Sequence, residues 1–225
     1  MKTNITIFII AFAATAIADT KENANIAPAL LAQLTEIDQH AAKIKSIDAS
    51  FQQKRYAALL KKPVISIGRV RVVGSTVRWD TTKPHPTAMI TTSKKVTLYY
   101  PKQKVVEEYD IKNRMADLTA SPQPRLSVLL KHFKIEKAES KIRNTIALKL
   151  TPIDKSLEEH VSTGRVVIDT KTAVMREFEM TDAEGDRTVI AITKPKTNSG
   201  LKVDQLKLKL PRGTKIVRPM AAVKK

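Results

Sequence analysis

The 225-residue chain contains no cysteine. Disulfide staples, thiolate metal centres and cysteine nucleophiles are therefore all excluded, and the fold has to rest on its core alone. Acylation at a cysteine is excluded too, so the chain is not itself a lipoprotein. Aromatic residues make up only 4% of the sequence, with a single tryptophan, which is too little for a base-stacking platform. None of the six glycines belongs to a phosphate-cradling loop or to a Gly-x-Ser-x-Gly elbow. The four histidines, His40, His85, His132 and His160, lack metal-ligand spacing. Asp182-Ala-Glu-Gly-Asp186 resembles a calcium loop only superficially, because ligand register and length are missing, and a hairpin turn is expected. Acidic residues are scarce as well: 22 stand against 40 Lys and Arg, a net charge of +18.

Long apolar runs are also lacking, apart from Ile5 to Ala14. That run is too short to span a bilayer, which takes about 20 residues. It follows Met1-Lys2 and ends in Ala16-Ile17-Ala18 before Asp19, the pattern of a secretory signal cut after Ala18. Residues 1–18 are thus expected to be a signal peptide and 19–225 one soluble domain, with 220–225 as a disordered basic tail. Export argues against nucleic acid as the partner of so basic a surface. Anionic lipid headgroups or acidic partner faces fit better, and a plainly solvated basic surface stands beside them.

Leu30, Leu34, Ile37, Ala41 and Ile44 recur at helical spacing, so the pattern predicts one amphipathic helix over 26–47, with Pro28 in its first turn. From residue 48 the period becomes two. Val96, Leu98 and Tyr100, then Ile146, Leu148 and Leu150, then Leu206, Leu208 and Leu210 alternate with other residues. Such alternation describes antiparallel strands with one apolar face. Turn signals at Gly74-Ser75, 101–104, 183–186 and 211–213 separate them. The pattern implies an α+β chain whose ten or so strands form a barrel or a strongly curved sheet. Between Ile67 and Val70 the apolar phase slips at Gly68-Arg69. Either a β-bulge returns both halves to one face, or the strand is buried on both faces. Residues 121–133 interrupt the meander with a short helix carrying Leu126, Leu129, Leu130 and Phe133 on one side. It reads as a lid over the sheet or as an ordinary core helix.

The order of motifs resembles the outer-membrane lipoprotein carrier family. A helix leads into Ser50-Phe51-Gln52-Gln53. Gly68 then opens a strand toward Val77-Arg78-Trp79-Asp80, with Pro84 beyond. Val96-Thr97-Leu98-Tyr99-Tyr100-Pro101 and Val105 follow, and Leu206 to Pro211 with Gly213 and Val217 close the chain. The resemblance implies a highly curved, unclosed antiparallel sheet, a half-barrel, with the N-terminal helix and short lid helices over its concave face. It implies a periplasmic monomer that takes lipoprotein acyl chains from an inner-membrane transporter to an outer-membrane receptor, with no cofactor, no metal and no catalysis. Two positions depart from the family. Its Arg-Pro before the Trp strand is replaced by Val73-Gly74-Ser75, one residue shorter, and its Asp-Gly turn by Thr92-Ser93. The lid-latching role of that arginine is therefore assigned to no residue here, which leaves room for another amphiphile as cargo, such as a glycolipid or pigment lipid. The candidate lipid-cavity residues are Trp79, Leu98, Tyr100, Leu126, Leu130 and Phe133; plain core packing is the competing role for each. A sensor on the same fold, a hydrolase with a spatially assembled site and a filled structural β protein are the other classes left open.

Overall fold

A computed structural model describes residues 26–110, 123, 125–153 and 155–219. The expected signal peptide, the tail from 220 and residues 121, 122 and 124 of the expected second helix lie outside them. Helix α1 runs from Pro28 to Ala42 and buries Leu30, Leu34, Ile37 and Ala41. It stops short of the expected 47 because Ser46 already opens strand β1 (Ser46–Tyr56), where β-branched Ile47 pairs across a ladder. Ile44 still packs on the core from the connecting turn.

Eleven further strands follow: β2 (Val64–Val73), β3 (Thr76–Lys83), β4 (Thr87–Thr91), β5 (Lys95–Tyr100), β6 (Val105–Asp110), β7 (Phe133–Ala138), β8 (Thr145–Pro152), β9 (Thr163–Asp169), β10 (Met175–Thr181), β11 (Arg187–Thr197) and β12 (Lys215–Val217). They form one unclosed sheet in the order β12-β6-β5-β4-β3-β2-β1-β11-β10-β9-β8-β7. All neighbours are antiparallel except β12, which runs parallel to β6. Ladder irregularities at Asp48/Ser50, Ile67/Gly68 and Met175/Glu177 bend the sheet. The second falls at the expected phase slip, but it does not return Ile65 and Ile67 to the face of Val70. The β1–β2 ladder runs straight through, and the extra residue, Thr82, lies on β3. Ile65 consequently stays on the opposite face from Val70 and is exposed.

Gly68 is where backbone and ring come closest. A Cβ there would sit 2.0 Å from the Asp80 carbonyl and 2.7 Å from Phe51 Cε1. Glycine lets Phe51 lie across the strand and meet Trp79 edge-on, with centroids 4.9 Å apart.

The concave face carries the main core: Ala49, Phe51, Val70, Trp79, Leu148, Val166 and Ile192 are all buried there. Helix α2 (Leu126–His132) adds Leu129, with Leu126 and Leu130 half-buried against the same core. Phe133 is not on this helix. It begins β7, since its backbone has turned extended, and is buried from the strand. A four-residue helix, α3 (Lys155–Glu158), follows β8 and contributes the buried Leu157 to the core.

The expected strand at 206–210 is absent. Val203–Leu206 forms a 3₁₀ turn, and the chain then crosses the convex face. Its carbonyls are taken by arginines instead of a neighbouring strand: Arg78 Nη1 donates to the oxygens of Leu206 (3.1 Å) and Lys207 (2.7 Å). Arg71 donates to that of Gln205. Asp80 binds both guanidinium groups, and Asp48 binds Arg69 beside them. Leu206 is thus buried, and Leu208 packs on a small convex cluster of Ala88, Tyr99 and Val106.

Candidate functional site

Trp79 is the centre from which the concave face can be built. Strand register places Ala49, Val70, Trp79, Met89, Leu98 and Glu107 in one row across β1 to β6. Five apolar side chains therefore run into one carboxylate. Glu107 is held by two phenols: Tyr109 donates to Oε2 at 2.8 Å and Tyr100 at 3.3 Å. Burial, with the neighbouring Glu107 charge and hydrogen bond behind it, pushes both tyrosine pKa values up to about 12. The phenols thus remain donors throughout the physiological range. Glu108, on the opposite face, is bound instead by Lys95 and Arg218.

The two helices covering the other half of the wall are clipped together. Asp38 on α1 receives Arg125 Nε at 2.9 Å and Nη2 at 3.0 Å, and its Oδ1 also accepts the Leu126 backbone N–H at 2.9 Å. That N–H is the first of α2, one of the donors a helix leaves unsatisfied, so α1 caps α2 across 88 residues of sequence. Burial raises the Asp38 pKa; the Arg125 and Leu126 hydrogen bonds and the Arg125 charge outweigh it and leave the group below its usual range. Gln123 Nε2 adds a bond to the Ala41 carbonyl at the end of α1.

Of the six sequence-derived candidates, Trp79, Leu126, Leu130 and Phe133 meet in the main core. Leu98 is fully buried one strand beyond Met89, and Tyr100 belongs to the Glu107 cluster. None lines either of two open clefts found among the described residues. One, of about 550 Å³, is bordered by Gln33, Lys137, Ser140, Thr145 and Ile146. The other, of about 380 Å³, is bordered by Ile26, Leu30, Gln33, Ile135 and Lys137. Both lie where α1 meets β7 at the edge of the sheet, and both fall in the size range of ligand sites. Sequence reasoning missed this seam and the Asp38–Arg125 clip; an acid and a base so far apart leave no periodic signal. Among the described residues there is no group of three or more His, Cys, Asp or Glu able to hold a metal. No helix among them is long and apolar enough to cross a membrane.

A family model described as outer membrane lipoprotein carrier protein LolA matches residues 42–209. No curated protein sequence matches. A conserved protein of Thermus thermophilus, described as uncharacterized, superposes with a TM-score of 0.55 at 14% identity, covering 84% of this chain and 99% of that one. MucB superposes at 0.52 and 14% identity, covering 81% of this chain and 64% of its own. The lipoprotein LppX of Mycobacterium tuberculosis gives 0.48 at 12% identity, covering 80% of this chain and 100% of its own.

Proposed function

The chain belongs to the outer membrane lipoprotein carrier family, and from that premise we propose that it is a periplasmic carrier. In this reading residues 1–18 are a cleaved signal, and residues 19–225 are a single domain that binds acyl chains against the concave face. The protein ferries them between the two membranes, handed on by an inner-membrane transporter and an outer-membrane receptor, and performs no catalysis. Physics supplies the need. Burying a methylene is worth ~0.8 kcal/mol, so an anchor of roughly 48 methylenes corresponds to ~40 kcal/mol and does not cross water unaided.

The observation that carries the reading is the construction of the cover. An apolar wall including Phe51, Val70, Trp79 and Ile192 is roofed in part by two separate helices, α1 and α2, linked by a partly exposed ion pair, its cap and the bond from Gln123 to the Ala41 carbonyl. Trp79, Leu98, Leu126, Leu130 and Phe133 supply the acyl contact when the helices lift, and Tyr100 stands at its polar end. In the closed form the helices' own leucines replace the cargo. A roof whose apolar side covers either the empty wall or the lipid gives binding and release from one equilibrium.

Native mass spectrometry after gentle purification tests this, together with titration of a fluorescent acyl probe. A co-purifying acylated species and saturable probe binding are expected. Bare protein without affinity for any acyl probe would refute it. The replacement of the family's Arg-Pro by Val73-Gly74-Ser75 leaves room for a second cargo class, a glycolipid or pigment lipid, which the same spectrum distinguishes by mass.

A further inference from the structure

Leu59 is the most exposed large apolar residue of the described chain, 97% accessible, and it does not stand alone. Leu60 beside it is 48% exposed, and Val64 and Ile65, where the chain re-enters β2, are 44% and 46% exposed. Lys61 and Lys62, also exposed, lie between them. Leu59 to Lys62 lie in the turn joining β1 to β2, and Val64 and Ile65 open β2, where they pair with Arg55 and Lys54. The last β2–β3 pair is Ile67 with Lys83, so the end of β2 from Val64 to Ser66 has no partner on that side. The leucines are held outward by a braced base. Asp186, from the β10–β11 turn, accepts the Ala58 N–H at 3.2 Å and Arg55 at 3.4 Å. Arg187 stacks on Tyr56, 4.3 Å from the ring centroid, and Leu60 N–H bonds the Ala57 carbonyl at 2.8 Å.

We propose that this hairpin is a membrane-docking device: Leu59 and Leu60 insert into the interfacial layer of an anionic bilayer while Lys61 and Lys62 hold its headgroups. Exposed leucines in water are tolerated singly, but a braced tip presenting two of them, with two cations next in sequence, matches a surface that is apolar beneath and negative above. The excess of 40 basic over 22 acidic residues adds long-range attraction toward the same surface. The hairpin lies outside the concave core, so docking and cargo binding occupy different parts of the molecule.

Flotation of the purified protein with phosphatidylglycerol/phosphatidylethanolamine vesicles, against phosphatidylcholine alone, tests the proposal. Wild type should bind the anionic vesicles and barely the neutral ones. Leu59→Ser with Leu60→Ser should weaken binding by about tenfold or more, since each leucine loses its burial. Lys61→Glu with Lys62→Glu should weaken it by more than about fivefold per residue, because attraction is removed and repulsion added. Both pairs should melt as wild type does, because the tip contributes nothing to the core. The chain has no native cysteine, so Leu60→Cys carrying an environment-sensitive dye reports insertion from one site, as a blue shift on anionic vesicles. Unaltered binding by either pair would overturn the proposal. So would self-association that disappears with the leucines, which would assign the tip to a second copy. Wild type that binds vesicles but no acyl probe would defeat the carrier reading and leave the hairpin standing.

Discussion

Replacing Asp38 with alanine should release α2 from α1 while leaving the sheet intact. Two contributions disappear. The Arg125–Asp38 pair is partly exposed, with side chains 47% and 23% accessible, and pairs of this kind contribute about 0.2–1 kcal/mol. The second is the carboxylate that caps the first N–H of α2; losing a side-chain cap typically costs about 1 kcal/mol. Together about 1–2 kcal/mol favours the lifted arrangement, which multiplies its population by roughly 5–30. Arg125→Ala removes only the ion pair and should produce a change several times smaller. The assay is the rate of fluorescent acyl-probe uptake, with hydrogen exchange of the α2 amides as a direct report of lifting. Asp38→Ala should speed both, Arg125→Ala should lie between it and wild type, and thermal melting should shift by only a few degrees. Equal uptake and exchange rates in all three proteins would refute the argument and make the helices plain core. Acid gives the same test without mutation. Because the folded Asp38 pKa lies below the ordinary value of 3.8, its contribution is present above that value and is lost as pH falls through the lower folded one. Uptake should therefore be flat between neutral and mildly acidic pH and accelerate only in strong acid.

Gly68→Ala should destabilise the fold by about 1–3 kcal/mol or more, since its Cβ would meet backbone at 2.0 Å; chemical denaturation measures this, and a neutral result would show that β3 can move aside. Leu130→Glu should weaken acyl-probe binding more than it lowers the melting temperature, because Leu130 is only half-buried against the core; the reverse order would place it in the core. Tyr100 and Tyr109 should ionise near 12 in an ultraviolet titration, and Glu107→Gln should lower both values. Their stabilising contribution is complete below the ordinary value of 10.0 and is lost as pH rises toward 12, so alkaline unfolding should begin within that window. Arg78→Met should free the Leu206 and Lys207 carbonyls, and limited proteolysis should then cut at Lys207 or Lys209 sooner than in wild type.

Periodicity reports which way side chains face, and that much the sequence by itself determined. The α1 stripe of Leu30, Leu34, Ile37 and Ala41 and the alternation of Ile146, Leu148 and Leu150 each follow from local geometry. The order of motifs around Trp79 was enough to indicate an unclosed, curved sheet. Periodicity carries no record of what a segment pairs with. Leu206, Leu208 and Leu210 alternate as a strand does, yet Arg78 and Arg71 capture the backbone there and lay it over the convex face. Alternation already sets Tyr99 and Tyr100 on opposite faces, but only the completed sheet gives Tyr99 the Ala88 and Val106 cluster and Tyr100 the Glu107 carboxylate. The Asp38–Arg125 clip joins residues 87 positions apart, and the seam between α1 and β7 spans a similar stretch of chain. Contacts of that kind come into being only when the chain has closed, because their energy lies in distances that no local pattern encodes.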